Sequence, residues 1–151
     1  MGHASQVDRT YWRDVLPIED ALLRTGRVRE PALARVAAWS VVLEAERRNL
    51  SPALVAAVLQ VENPWLVRDT VSFAGAVGWM QIMPQHVTEG HPCGTDLTNG
   101  PVNVCYGSAI LRAYIGEALD MALRDALNRY GGCVRTPGCE RYATNVLARM
   151  Q

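Results

Sequence analysis

The sequence predicts a mainly α-helical single domain. Three observations carry that expectation. Apolar residues recur at helical spacing through most of the 151 positions, start and stop signals bracket those stretches, and the strict alternation of a half-buried strand is nearly absent. The exception is a few residues around Val67–Ser72. With 49% hydrophobic and 20% charged residues, the chain has enough apolar material for a real core and too much for intrinsic disorder.

Residues 1–30 are polar and arginine-rich, with one amphipathic stretch from Tyr11 to Leu23 that Pro17 interrupts and Gly26 ends. Pro31 sits where a helix can begin, and Leu33, Val36, Ala37, Val41 and Leu43 keep roughly helical spacing to Arg48. Ser51-Pro52 is a strong start signal, because serine accepts from the first-turn amides and proline lacks only a donor that would be idle. The helix it opens is expected to reach Glu62, where Asn63-Pro64 stops it, since the residue before proline avoids the α region. Residues 65–78 read as a glycine-containing loop or short β-hairpin, followed by a short helix around Trp79–Val87 and a turn-rich stretch over 88–100. Two helices are expected at about 101–115 and 117–130, broken near Gly116. After the loop from Gly131 to Gly138, a last short helix runs from Glu140 to Met150. Residues 1–50 read as a helical extension packed on the core, and 51–151 as the core itself, in one compact, monomeric domain.

The 15 basic and 15 acidic residues balance, and every basic one is arginine. A neutral domain lacks the positive footprint that binding to nucleic-acid phosphates needs, so nucleic acid is not an expected partner. No apolar run approaches the roughly 18–20 residues that cross a bilayer, so no membrane span is expected. The four cysteines, Cys93, Cys105, Cys133 and Cys139, all fall in the second half, two of them in Gly/Pro-rich loops. They allow three connectivities, of which the local pairing Cys93–Cys105 and Cys133–Cys139 is the expected one. A zinc site drawing on His86, His91, Cys93 and Cys105 competes, but no ordered ligand spacing supports it, and no metal is expected. Disulfides imply an oxidising, extracytoplasmic compartment: periplasmic, secreted or phage-delivered. The first six residues, Met1-Gly2-His3-Ala4-Ser5-Gln6, contain no apolar signal-peptide core, so no leader is read in this chain.

One acidic residue stands out. Val55, Val58 and Leu59 define the apolar stripe of the helix that starts at Pro52, and the next position on that stripe is Glu62. Burial disfavours a carboxylate and raises its pKa. The negative end of the helix dipole pushes the same way. Both favour a carboxylic acid still partly protonated near neutral pH, as a general acid requires. A terminal glutamate that swings into solvent is the plainer reading, and spacing alone does not decide. Downstream, Ser72-Phe73-Ala74-Gly75-Ala76-Val77-Gly78-Trp79-Met80-Gln81-Ile82-Met83-Pro84 combines glycines that permit tight turns, polar Ser72 and Gln81, and a wall of Trp79, Met80 and Met83 suited to sugar rings. A Met/Trp stripe is also what an ordinary core contains.

A glutamate ending a helix, followed by Ser-x-x-Gly-Ala-x-Gly-x-Met-Gln-Ile-Met-Pro, resembles the soluble lytic transglycosylase family of the lysozyme-like superfamily. Asp96-Leu97-Thr98-Asn99 with Asn103 and Gly107, then Ala126-Leu127-Asn128-Arg129-Tyr130-Gly131, then Glu140-Arg141-Tyr142, are similar to further family segments in the same order. The resemblance covers about residues 50–150. Three departures are visible. Asn63 stands where serine is usual and can still offer hydrogen bonds, Trp79 replaces leucine, and Gly131 replaces a common asparagine on the substrate-facing loop. The cysteines are not part of the family pattern.

The resemblance implies a lysozyme-like, goose-type helical fold and a cofactor-free enzyme acting on the glycan strands of peptidoglycan. It implies cleavage of the β-1,4 bond between N-acetylmuramic acid and N-acetylglucosamine, with Glu62 as the single acid/base and a 1,6-anhydro sugar as product. Ser72, Gln81 and Tyr130 are then expected to line the cleft and orient hydroxyl and acetamido groups, Trp79 and Met80 to form its apolar wall, and Tyr142 to close it near Glu62. Two rivals stand beside it. A goose-type muramidase would use Asp69 or Asp96 to position water, and a glycan-binding module would have lost the chemistry.

Overall fold

The computed structural model describes residues 4–116, 120–133 and 138–151, with the backbone alone for 120–122. It is mainly helical, and its order is α1 (Gln6–Thr10), a π-helical segment (Tyr11–Val15), α2 (Leu16–Leu23), α3 (Pro31–Arg47), α4 (Pro52–Glu62), a 3-10 turn (Pro84–His86), α5 (Gly100–Tyr114), α6 (Asp120–Tyr130) and α7 (Arg141–Arg149). Helix starts and ends fall close to the expected positions. The expected start of α6 at 117 lies outside the described residues.

Ser51 caps α4 by accepting from the Leu54 amide, and Asn99 caps α5 by accepting from Val102, each ahead of a first-turn proline. The N-terminal stretch that Pro17 interrupts does not break. It widens into a π turn, in which the Leu16 amide reaches back to the Tyr11 carbonyl, and α2 restarts with Pro17 in its first turn. The extension is fastened by a polar cluster that spacing did not announce. Tyr11 donates to Glu19 at 2.9 Å, and Arg35 from α3 reaches both Glu19, at 3.2 Å, and the Tyr11 hydroxyl, at 2.8 Å.

Helix α4 is the centre of the molecule. Every residue from Leu54 to Gln60 is buried, not one stripe alone, and α2, α3 and α7 pack around it. This is the arrangement of a helix clad on all sides. The helix expected around Trp79–Val87 is absent except for its last part, Pro84–His86. Residues 70–82 instead form a compact turn system held by two isolated antiparallel bridges, Val71 with Val77 and Val77 with Ile82. Gly78 has φ +80° and Gln81 φ +54°, values that interrupt any helix begun there. The cysteines pair locally, Cys93 with Cys105 and Cys133 with Cys139. The first bond ties the turn-rich stretch to α5, and the second closes the loop between α6 and α7. His91 is engaged within the protein, its Nδ1 accepting from the Cys93 amide at 3.0 Å and its ring stacked on Tyr106.

Candidate active site

Glu62 is the last residue of α4, and its side chain is largely buried with one edge open. Its Oε1 accepts a hydrogen bond from the Tyr142 hydroxyl at 2.7 Å. Burial raises the Glu62 pKa from 4.5 to about 7, against the Tyr142 hydrogen bond, which favours the ionised form. Among the described residues no other group contributes to that shift. The carboxyl is therefore about half protonated at neutral pH, poised to give a proton and take one back.

Two tyrosines flank it. Tyr130, at the end of α6, donates to the Met80 carbonyl at 2.9 Å, and its ring lies nearly parallel to that of Tyr142, with centroids 6.5 Å apart. Burial first, then the Glu62 charge, pushes both phenols up, so both stay protonated donors. The connection between them is braced. The Asn128 side chain accepts from the Ala143 amide at 3.0 Å and its carbonyl accepts from the Cys133 amide at 2.8 Å. Gly131 lies against the Tyr142 ring so closely that a Cβ there would overlap Cγ and Cδ of the ring. The departure at 131 thus has a local cause: the position is occupied by the neighbour's aromatic ring.

The floor beneath Glu62 is the 63–82 segment. Asn63 is 0% exposed, donating to the carbonyls of Val67 at 2.7 Å and Gly78 at 3.2 Å and accepting from the Val67 amide. It does offer hydrogen bonds, as expected, and spends them inside the protein as a brace. Gln81 clips the same Gly78 carbonyl with its Nε2 at 3.0 Å. Ser72 is half-buried, and its Oγ accepts from the Ala76 amide, closing the turn at 72–76. A residue whose role the spacing left unassigned, Asn103 of α5, is fully buried and holds the segment from the other side. It accepts from the Met80 amide at 2.7 Å and donates to the carbonyls of Val77 and Leu97.

The expected cleft wall of Trp79 and Met80 is corrected. Trp79 is 1% exposed, donates its indole N–H to the Leu66 carbonyl at 3.0 Å and packs on Gly100. Met80 is 0% exposed, with its thioether against Gly107. Both side chains belong to the core, and only the Met80 carbonyl faces the tyrosines. Trp65, three residues after Glu62, is an open aromatic, 43% exposed, and Phe73 beside Ser72 is fully exposed. Asp96 caps its own turn, accepting from the Thr98 amide and hydroxyl, and those bonds hold its pKa below the usual carboxylate range. Asp69 is exposed.

The site therefore unites Glu62, Tyr130, Tyr142 and the braced backbone around Met80, with Ser72 and Gln81 shaping the loop beside it. Compared with known proteins, residues 41–133 match the family described as Transglycosylase SLT domain. No curated protein matches the sequence. The matched span begins inside α3 rather than at residue 51, and it takes in Glu62, the 72–84 segment and Tyr130, while Tyr142 lies beyond it. Because that match covers more than half of the chain, and the helical fold agrees with it, the chain belongs to the transglycosylase SLT domain family, whose activity is lytic transglycosylase-like and directed at peptidoglycan.

Proposed function

We propose that the chain cleaves the β-1,4 bond between N-acetylmuramic acid and N-acetylglucosamine as a lytic transglycosylase, with Glu62 alone carrying the proton in both directions. The observation that supports this reading is the solitary environment of Glu62: a buried carboxyl with a pKa near 7, one tyrosine donor, and no second carboxylate contributing among the described residues. Glycosidases that hydrolyse generally need a pair of carboxylates at a defined separation, one of them to activate water or attack the sugar. One carboxyl suffices when the substrate supplies its own nucleophile. Glu62 first protonates the departing glycosidic oxygen. The carboxylate so formed then takes the proton of the muramic acid C6 hydroxyl, whose oxygen closes on C1, and Glu62 ends the cycle protonated. Tyr142 donates to the carboxylate at the stage where it is charged, which keeps the intermediate form from being too basic. Ser72 and Gln81 would orient acetamido and hydroxyl groups from the loop, and the disulfides suit action outside the cytoplasm.

Product analysis of digested peptidoglycan tests the proposal. Anhydro-muramyl ends by mass spectrometry are expected, and Glu62→Gln should lower their release by about 10²–10⁴-fold. Ordinary reducing ends would mean hydrolysis instead. A wild-type chain that leaves the turbidity of a wall suspension unchanged would reduce the domain to a binding module.

A further inference from the structure

Trp65 forms a ridge between two grooves of different electrical character. On one side the lining includes Arg29 and Arg68 together with Glu30 and Asp69, so the charges offset. On the other side, a cavity of about 390 Å³ is lined by Arg27, Arg149, Gln60, Asn145 and Val61 beside Trp65, with no carboxylate in its wall among the described residues. The protein as a whole is neutral, so this cationic lining is local and not a by-product of overall basicity. Among the described residues only four arginines have acidic partners, Arg13 with Asp14, Arg35 with Glu19, and Arg47 and Arg48 with Glu44. Arg27 and Arg149 form no ion pair among the described residues. The groove also adjoins the catalytic end of α4. Val61 precedes Glu62, and Asn145 lies one turn beyond Tyr142 on α7, with Arg149 one turn further.

We propose that this second groove is a subsite for the acidic peptide borne by the muramic acid at the cut, with Arg27 and Arg149 holding its carboxylates. The inference rests on the peptidoglycan reading above and names what that substrate carries besides sugar. A guanidinium presents a planar fork that matches a carboxylate in two hydrogen bonds, and the exposed face of Trp65 with Val61 offers apolar surface for short side chains. Asn145, exposed on α7, adds an amide group suited to a peptide backbone. Both arginines lie outside the family-matched span, while Val61 and Trp65 of the same groove lie within it.

Calorimetric titration with N-acetylmuramyl-tetrapeptide, and with the same compound carrying all its carboxyls as amides, needs no turnover. The wild-type protein is expected to bind the acid form more tightly than the amide. The double variant Arg27→Gln, Arg149→Gln should lose about fivefold affinity for the acid form, the scale of two exposed ion pairs, and added salt should erase the same preference. In parallel, the ratio of kcat/KM on peptide-bearing glycan to that on glycan stripped of peptides should fall by about the same factor in the variant. Equal binding of acid and amide by the wild type, or an unchanged acid affinity in the variant, overturns the subsite. Release of product from the stripped glycan by the wild type reports on the activity independently, so the two failures are distinguishable. Both side chains are exposed, and the variant's unfolding transition, measured alongside, verifies that it folds.

Discussion

Glu62→Gln should make the protein more stable as the pH rises relative to the wild type, because the wild type bears a cost that the variant lacks. The folded-state pKa of Glu62 is about 7, above the 4.5 of a free glutamate, so the native state binds this proton more tightly than the unfolded chain. With that sign, the contribution of the group is intact below 4.5 and is lost as pH rises through 7. The penalty follows from the two values: about 1 kcal/mol at pH 5 and about 3 kcal/mol at pH 8. Glutamine pays none of it and keeps an oxygen for the Tyr142 hydroxyl. Every other titrating group is shared and cancels in the comparison. For a domain near 150 residues, about 1 kcal/mol moves the melting temperature by roughly 2–4 °C. The gap in Tm between variant and wild type should therefore widen by about 4–8 °C between pH 5 and pH 8. Thermal unfolding followed by circular dichroism at the two pH values measures it. A gap of the same size at both would mean that the carboxyl is hydrated in the native state, and the argument for a general acid would fall with it.

Three further outcomes follow from the same geometry. Tyr142→Phe removes the donor that favours ionised Glu62, so the inflection of the activity profile should move up by about one pH unit with a lower kcat; a profile that stays in place would show that the bond is not made during turnover. Gly131→Ala drives a methyl into the Tyr142 ring and should destabilise by about 1–3 kcal/mol with a matching loss of activity; denaturant midpoints equal to wild type would contradict the contact. Asn63→Ala leaves the Val67 amide and carbonyl short of a partner in a dry corner, while the Gly78 carbonyl keeps Gln81, at a cost of about 2–3 kcal/mol in urea unfolding; a change within about 0.5 kcal/mol would mean water replaces the brace.

The helices were legible because their signals are local. Ser51-Pro52 and Asn63-Pro64 bracket α4 within a residue, and Pro31 opens α3. Glu62 was legible as an acid out of place on an apolar stripe, though the stripe understated the case, since α4 is covered on every side. The segment after it was misread for a physical reason. Trp79, Met80 and Gln81 have helical composition, but Asn103, twenty-odd positions later, captures the Met80 amide and pulls the chain into turns. That long-range bond leaves no periodic trace. Composition also cannot separate an aromatic that walls a cleft from one that fills a core, and so Trp79 was expected outside while Trp65 holds the exposed place. The Tyr11–Glu19–Arg35 cluster was invisible because its members join only once α3 packs on the N-terminal helices.

The two partners of the Tyr142–Glu62 hydrogen bond sit on helices that differ in how deeply they are buried. Glu62 extends from the helix that every neighbour encloses, so displacing it means dismantling the interior. Tyr142 belongs to the nine-residue α7, of which Ala143 and Val146 are buried, and the Cys133–Cys139 disulfide precedes it. Amide protons of α7 should exchange with solvent before those of the fully buried stretch of α4.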